Sequence, residues 1–520
     1  MSEKQIHVTI VGGGITGLAA AFYLQKEIEE HRLPLDFTLI EADNRLGGKV
    51  QTHYHDGFVI EKGPDSFLAR KKSAAELVKD LGMHHDLVRN NTGQSYILHR
   101  GQLHPIPEGA IMGIPTKWAP FLRSGLFSPA AKVRAAADLL LPRSKMKKDQ
   151  SVGQFFRRRL GNEVVDHLIE PLLSGIYAGN LDNLSLMSTF PQFDQLEREY
   201  RSLILAMKST RPPAKQTGKP GGQFLTLKNG LQSLVEAIEQ CLPHQSVMKS
   251  TTLHHIEKQE EGYRLHVNGD RTLTTNSVIL AVPSRIAHKA LGNVSYLQPL
   301  KETPPTSVAN VALAYPEAAV RLEREGTGFV VPRGEDVTIT ACTWTHKKWP
   351  HTTPDGKVLI RCYVGHAGDD RIVDLPDEKI IDAVLSDLKR ISNITEKPDF
   401  YTLSGIGLMW NKPNTNSAAN GPVSCWPVPL TKASVSRTAS IKVKQRSRKF
   451  FSMLILNNQI GGRERWIGSS IRKPFIFSKS RSRLFKVKVS RSTKRQPSPF
   501  KTWKRWKRRS ERKNPFITHV

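Results

Sequence analysis

Three glycines, Gly12-x-Gly14-x-x-Gly17, follow a short β-branched run (Val8 to Val11) and open a stretch of small and apolar residues. That order of strand, turn and helix builds a seat for a dinucleotide. Gly12 permits the tight turn, Gly14 lets backbone approach a pyrophosphate, and Gly17 lets the helix sit close on the sheet. Gly13, Ile15 and Thr16 complete the loop, whose free N–H groups and positive helix end face the phosphates. A second strand, Phe37 to Ile40, runs into Glu41-Ala42, and an acid at that place accepts hydrogen bonds from the adenosine ribose hydroxyls. Arg45-x-Gly47-Gly48-Lys49 comes next, and Glu61-Lys62-Gly63-Pro64-Asp65-Ser66 lies a little beyond. These two segments favour FAD over a nicotinamide dinucleotide.

The elements that must position these residues are an alternating set. Residues 1–72 read as strand, helix, strand and loop, and Ala74 to Leu81 as a short helix. Gln94 to Leu98 and Gln102 to Pro105 flank Arg100-Gly101 as a hairpin, and residues 110–210 are mainly helical in pattern. Gln223 to Thr226 reads as a strand and Asn229 to Val235 as a turn and helix. Strands at 252–256, 263–267 and 272–274 follow, with Asn268-Gly269 as a two-residue turn, and Ser277 to Pro283 is a buried strand. Ser307 to Tyr315, Gly328 to Val331, Val337 to Trp344 and Val358 to Val364 are β-rich, and Asp377 to Ile391 is an amphipathic helix. The expected fold class is α/β (α+β overall), with a Rossmann-like FAD-binding domain assembled from separated segments.

The chain has 520 residues, 38% of them hydrophobic, which is enough for more than one domain with a sizeable core. No stretch reaches the ~20 apolar residues of a membrane span, and the start of the chain shows no secretory leader. The four cysteines are scattered without a C-x-x-C pair, which suits a reducing cytosol rather than a disulfide framework or zinc site. The pairs His53/His55, His84/His85 and His254/His255 lack complementary ligands and read as surface or structural. Net charge is +30, unevenly spread: residues 405–520 hold 28 Lys or Arg against Glu464 and Glu511, giving +26, which leaves +4 for residues 1–404.

Glu170-Pro-Leu-Leu-Ser-Gly175-Ile-Tyr-Ala-Gly179-Asn-Leu-Asp-Asn-Leu-Ser185 narrows the family. Together with the glycine loop, Gly63 to Ser66, Arg70-Lys71-Lys72, Thr92 to Tyr96, Met112 to Thr116, Gly326 to Phe329 and Ala341 to Thr345, it resembles the FAD-dependent protoporphyrinogen/coproporphyrinogen III oxidases. The likeness covers about residues 1–404 and is strongest to the Gram-positive bacterial type. It implies an FAD-binding domain from 1–72 and 211–290, an antiparallel-sheet substrate domain from 73–98 and 291–404, and a helical domain at 99–210 that touches membranes in relatives. The implied reaction takes six electrons from a porphyrinogen in rounds of two, through FAD to O2, with H2O2 as by-product. The cofactor does the hard step, in keeping with the lack of a catalytic triad or metal cluster.

The resemblance also assigns residues. Arg70 would grip a substrate propionate bidentately, with Lys71 and Lys72 as point charges. Gly175 would let backbone approach the flat macrocycle, Lys49 would neutralise a flavin phosphate or sit by the isoalloxazine, and Leu253 would lie beside the adenine. Ile114 to Val133, with Trp118, Phe121, Leu122, Leu126 and Phe127 among Lys117, Arg123 and Lys132, would rest on a membrane surface or simply pack on a core. The expected location is cytoplasmic, with peripheral contact at the inner face of the cell membrane and no specific nucleic-acid partner.

Past Leu403-Ser404 the family pattern ends. Relatives finish with a Gly-x-Gly-Ile-Pro type flavin loop, and neither Gly405-Ile-Gly407 nor Gly461-Gly462 restores it. Residues 405–520 therefore read as a basic, disordered segment, with a shifted reading frame preferred over a functional arm. As an arm it would bind polyanions through its cations, with Trp503 and Trp506 stacking on bases or settling into an anionic membrane interface. Without that loop the flavin site lacks a wall, and weakened FAD retention is expected. Alternative activities are protoporphyrinogen IX oxidation and amine oxidase or desaturase chemistry.

Overall fold

The opening β-branched run forms β1 (Ile6–Val11), held in parallel register between β2 (Leu35–Ile40) and the strand Ser277–Leu280. The computed structural model describes residues 5–144, 149–177, 179–210, 222–292, 307–366, 368–369, 371–407, 454–457 and 467–468. All of these lie in the first of two compact units, Met1–Pro474; the second, Phe475–Val520, falls outside the described residues.

Between β1 and β2 runs α1 (Ile15–His31), in which every residue from Gly17 to Leu24 is buried. The small side chains of Ala19, Ala20 and Ala21 allow the helix to lie close on the sheet, as a parallel β-α-β crossover requires. The helix Gln232–Gln240 packs beside it, and Leu18, Leu39, Val235 and Ile238 share one core. The opposite face is covered by a meander, Leu253–Gln259, Gly262–Val267 and Arg271–Thr275, and by the helix Ser284–Leu291. Asn268 (φ 43°) and Gly269 (φ 77°) turn the meander with positive φ at both central residues, the geometry matched to strand twist.

A seven-stranded sheet is ordered Phe400–Gly407, Ser307–Pro316, Lys357–Val364, Ile339–Trp344, Gly328–Val330, Ser95–His99, Gln102–Pro105. It is antiparallel except where Gly328–Val330 runs parallel to Ser95–His99. The amphipathic helix Asp377–Ser392 covers it through Ile380, Ile381, Val384 and Leu388. A third core is helical and takes in Phe121, Leu126, Phe127, Phe155, Phe156 and Leu168. Three apolar residues of the suspected membrane stretch, Phe121, Leu126 and Phe127, are thus core residues, while Leu122 is exposed.

Several boundaries differ from expectation. The helix α2 (Lys72–Asp80), assigned with residues 73–98 to the substrate domain, buries Leu77 and Val78 in the core beneath the dinucleotide sheet. The hairpin extends to Pro105, so 99–105 belongs to the seven-stranded sheet and not to the helical domain. The strand Phe400–Gly407 runs through position 404 because its pairing with Ser307–Pro316 continues to Gly407. Within the segment expected to be disordered, Leu454–Asn457 pairs antiparallel with Ser277–Leu280, and Ile467–Gly468 pairs with it in turn. A short apolar run finding an open sheet edge explains that pairing.

Candidate dinucleotide site and its surrounding loops

The glycine turn leaves β1 at its C-terminal end. Gly12 has φ +105°, and a Cβ there would sit 2.5 Å from the Ala281 carbonyl oxygen. A Cβ on Gly17 would lie 1.8 Å from the Gly12 oxygen, so side chains are excluded at both places. At Gly14, by contrast, nothing lies within 4 Å of a would-be Cβ. Gly14 caps α1 without a side-chain hydrogen bond, and the first turn carries no acid. Backbone N–H groups at the helix start are therefore not claimed by a side-chain cap, and these residues fit a dinucleotide pyrophosphate.

Glu41 stands just past β2. Its carboxylate accepts from the Gly13 N–H (2.5 Å) and from the Asp43 N–H (2.8 Å), which fixes it under the turn. Each carboxylate oxygen carries more than one lone pair, so ribose hydroxyls could still donate to it. The Thr251 N–H donates to the Glu41 carbonyl at 2.7 Å, bringing the segment that leads to buried Leu253 alongside. Ala42 is exposed beside it.

The loop 45–50 packs against the turn. The Gly47 N–H donates to the Gly13 carbonyl at 2.8 Å, and a Cβ on Gly48 would lie 3.2 Å from Gly14 Cα. Arg45, expected on the cofactor, turns its guanidinium to the carbonyls of Gly48 (2.6 Å), Leu46 and Val50 (both 3.3 Å) and clamps the loop. Lys49 is half-buried. Gly63 then lies so close to Lys49 that its Cβ would fall 1.9 Å from the Lys49 carbonyl oxygen. The glycine turn, the loop 45–50 and Gly63 thus pack against one another in succession.

The side chains of Asp65 and Ser66 are engaged within the protein. The Asp65 carboxylate lies 3.0 Å from Lys348 Nζ and 3.4 Å from Arg361 Nη1, and accepts from Trp349 Nε1 at 3.2 Å and from the Ser66 hydroxyl at 2.6 Å. Its side chain is committed to the protein. Burial alone would push its carboxyl up, but Lys348 and Arg361 reverse that and hold it well below the usual carboxylate range. Glu61 behaves oppositely: burial pushes it up to about 7, against the lowering effect of the Leu231 N–H, Arg361 and the Thr52 hydroxyl. Pro64 is exposed. Arg361, Lys348 and Trp349 were not singled out in the sequence; the one signal was an arginine within the apolar run Val358 to Val364.

The expected substrate cations sit where β5 (Phe67–Leu68) meets α2. Arg70 and Lys71 are exposed, and Arg70 has no ion-pair partner among the described residues. Gly175 falls in the helix Glu170–Tyr177, but its surroundings lie outside the described residues. Buried Glu170, which begins that helix, is 2.8 Å from Arg333 Nε, and Arg333 Nη1 is 3.0 Å from His366 Nδ1. Among the described residues no cluster of His, Cys, Asp or Glu could hold a metal ion.

Residues 15–435 match the family model of the flavin containing amine oxidoreductases. The chain is 58% identical over 402 residues to a coproporphyrinogen III oxidase of Bacillus subtilis, covering 77% of this chain and 86% of that one. It is 43% identical over 407 residues to the Staphylococcus aureus coproporphyrinogen III oxidase, with the same 77% and 86% coverage. A crystal structure from Exiguobacterium sp. 255-15, provisionally described as a protoporphyrinogen oxidase, superposes with TM-score 0.69 at 40% identity, covering 78% of this chain and 87% of that one. The glycine turn, its supporting loops and these likenesses together place the chain in the flavin containing amine oxidoreductase family, among the FAD-dependent coproporphyrinogen III oxidases.

Proposed function

We propose that this chain oxidises coproporphyrinogen III to coproporphyrin III. The observation that carries this assignment is the 58% identity to the Bacillus subtilis enzyme. FAD held by the residues of the dinucleotide site would supply hydride acceptance and the transfer of electrons to O2, with H2O2 as the product. The chain's own residues bind and orient. Gly12, Gly14 and Gly17 admit the pyrophosphate, with Gly13, Ile15 and Thr16 as the intervening backbone, and Glu41 receives the ribose. Gly48, Lys49 and the backbone of Gly63 and Pro64 form the layer beside them. Exposed Arg70 and Lys71 supply positive charge for propionates, and Leu253 and Ala42 line the adenine side.

The experiment is to purify the full chain, add FAD, and follow porphyrin fluorescence with coproporphyrinogen III, protoporphyrinogen IX and simple amines. Fluorescence growth with H2O2 release is expected from coproporphyrinogen III. Turnover of amines alone would overturn the assignment. Protoporphyrinogen IX is the second candidate, supported by the description of the Exiguobacterium protein.

Peripheral contact with the inner face of the membrane belongs to the same proposal. Leu122 and Val133 are exposed, at 52% and 73%, and Lys132 Nζ donates to the Leu122 carbonyl at 2.7 Å, which brings the two neighbourhoods together. Among the described residues no helix is long and apolar enough to cross a membrane.

A further inference from the structure

Three consecutive carbonyls in the segment leading to Asp65 are each held by a side chain from a different strand of the seven-stranded sheet. Asn310 Nδ2 donates to the Glu61 carbonyl at 3.1 Å, the Ser404 hydroxyl to the Lys62 carbonyl at 2.7 Å, and Arg361 Nη2 to the Gly63 carbonyl at 3.0 Å. The strands concerned are neighbours: Asn310 pairs with Ser404, and Arg361 pairs with Ala312, two residues along from Asn310 on the same face. Asn310 and Arg361 are each 1% exposed. Polar side chains in the middle of buried strands are costly unless they meet partners, and here the partners are the carbonyls of one loop. Asp65 closes the arrangement through its ion pairs with Arg361 and Lys348.

We propose that Asn310, Arg361, Ser404 and Asp65 are positioning residues: they lock residues 61–66 to the substrate-side sheet and thereby fix the layer on which the flavin rests. The mechanical path is short. Gly63, held by Arg361, abuts the Lys49 carbonyl, and Gly48 abuts Gly14 in the dinucleotide turn. A shift of the 61–66 backbone cannot be absorbed by side-chain rotation, since glycine contacts transmit it. The same lock sets the distance between sheet and cofactor layer, and the Asp65 carboxylate acts through the loop. The step from loop to flavin rests on the function proposed above; the lock itself does not.

Hydrogen exchange and FAD titration on the full chain separate the two. In Arg361→Met and Asn310→Leu, amides of residues 62–68 should exchange about tenfold faster without added FAD, the loss expected when a buried hydrogen-bonding partner is removed. Amides of β1 and of the helix Asp377–Ser392 should keep their rates. Arg361→Lys, which retains the charge facing Asp65, should recover part of the protection. Unchanged exchange at 62–68, or an equal rise everywhere, overturns the lock. FAD titration, followed by flavin fluorescence, should show about tenfold weaker binding in the same two variants. Full affinity despite an opened loop overturns the link to the cofactor. If the unaltered chain takes up no FAD, the proposed oxidase function fails while the exchange result still decides the lock.

Discussion

Glu61, at the end of the strand Phe58–Glu61, and Asp65, four residues on, ionise in opposite senses. Asp65 is held low by Lys348 and Arg361 despite its burial, so the stabilisation it provides is fully present above its unfolded value near 3.8 and drains away as pH falls below that value. Glu61 keeps its proton to about 7 when folded, against 4.5 unfolded. Its contribution therefore runs the other way: the folded state is favoured most below 4.5 and loses stability as pH rises towards about 7. Glu61→Gln should flatten that slope, read from urea midpoints on either side of the window. Asp65→Asn should destabilise by about 3 kcal/mol at neutral pH, because Arg361 is left buried with its charge opposed by less. A midpoint unchanged in Asp65→Asn would mean the ion pairs contribute nothing net.

The elements that could be read from the sequence are those whose signals are local. Strand, glycine turn and helix at 6–31 follow from adjacent residues, and Asn268-Gly269 specified its turn by the backbone freedom of two residues. The helix at Lys72–Asp80 was legible as a helix, but its amphipathic pattern does not say which sheet receives the apolar face. The partners of Asp65 were not legible, since Lys348 lies 283 residues away in sequence and Arg361 further still. Only the polar interruption at Arg361 in the apolar run Val358 to Val364 marked one of them. The helical domain hides a similar knot. Fully buried Arg159 bonds Glu197 at 2.6 Å and lies 3.3 Å from Asp138, both carboxylates also buried. Arg159→Met should cost about 4 kcal/mol, measured by chemical denaturation, because it leaves buried Asp138 without a cation and Glu197 with Arg158 alone. Gly17→Ala should abolish flavin uptake, because its methyl has no room against the Gly12 carbonyl.

At the scale of the whole molecule, net charge is concentrated in residues 405–520. Residues 405–520 carry +26 of the +30 net charge, a field that draws polyanions through a salt-sensitive interaction whatever its origin. Their sequence holds no Gly-x-Gly-Ile-Pro run of the kind that the resemblance leads one to expect. The purified chain is therefore expected to carry less than one flavin per molecule and to gain activity with added FAD. Flavin retained in full through gel filtration would show that the front-end layer suffices alone.

The most direct measurement is an anaerobic single turnover: the FAD-loaded chain is mixed with coproporphyrinogen III, and the flavin's visible absorption is followed alongside porphyrin fluorescence. The expected result is bleaching of the flavin with coproporphyrin formed in the ratio of three reduced flavins to one porphyrin, followed by recovery of the band when O2 is admitted. A flavin that stays bound and oxidised in the presence of the porphyrinogen would contradict the assignment.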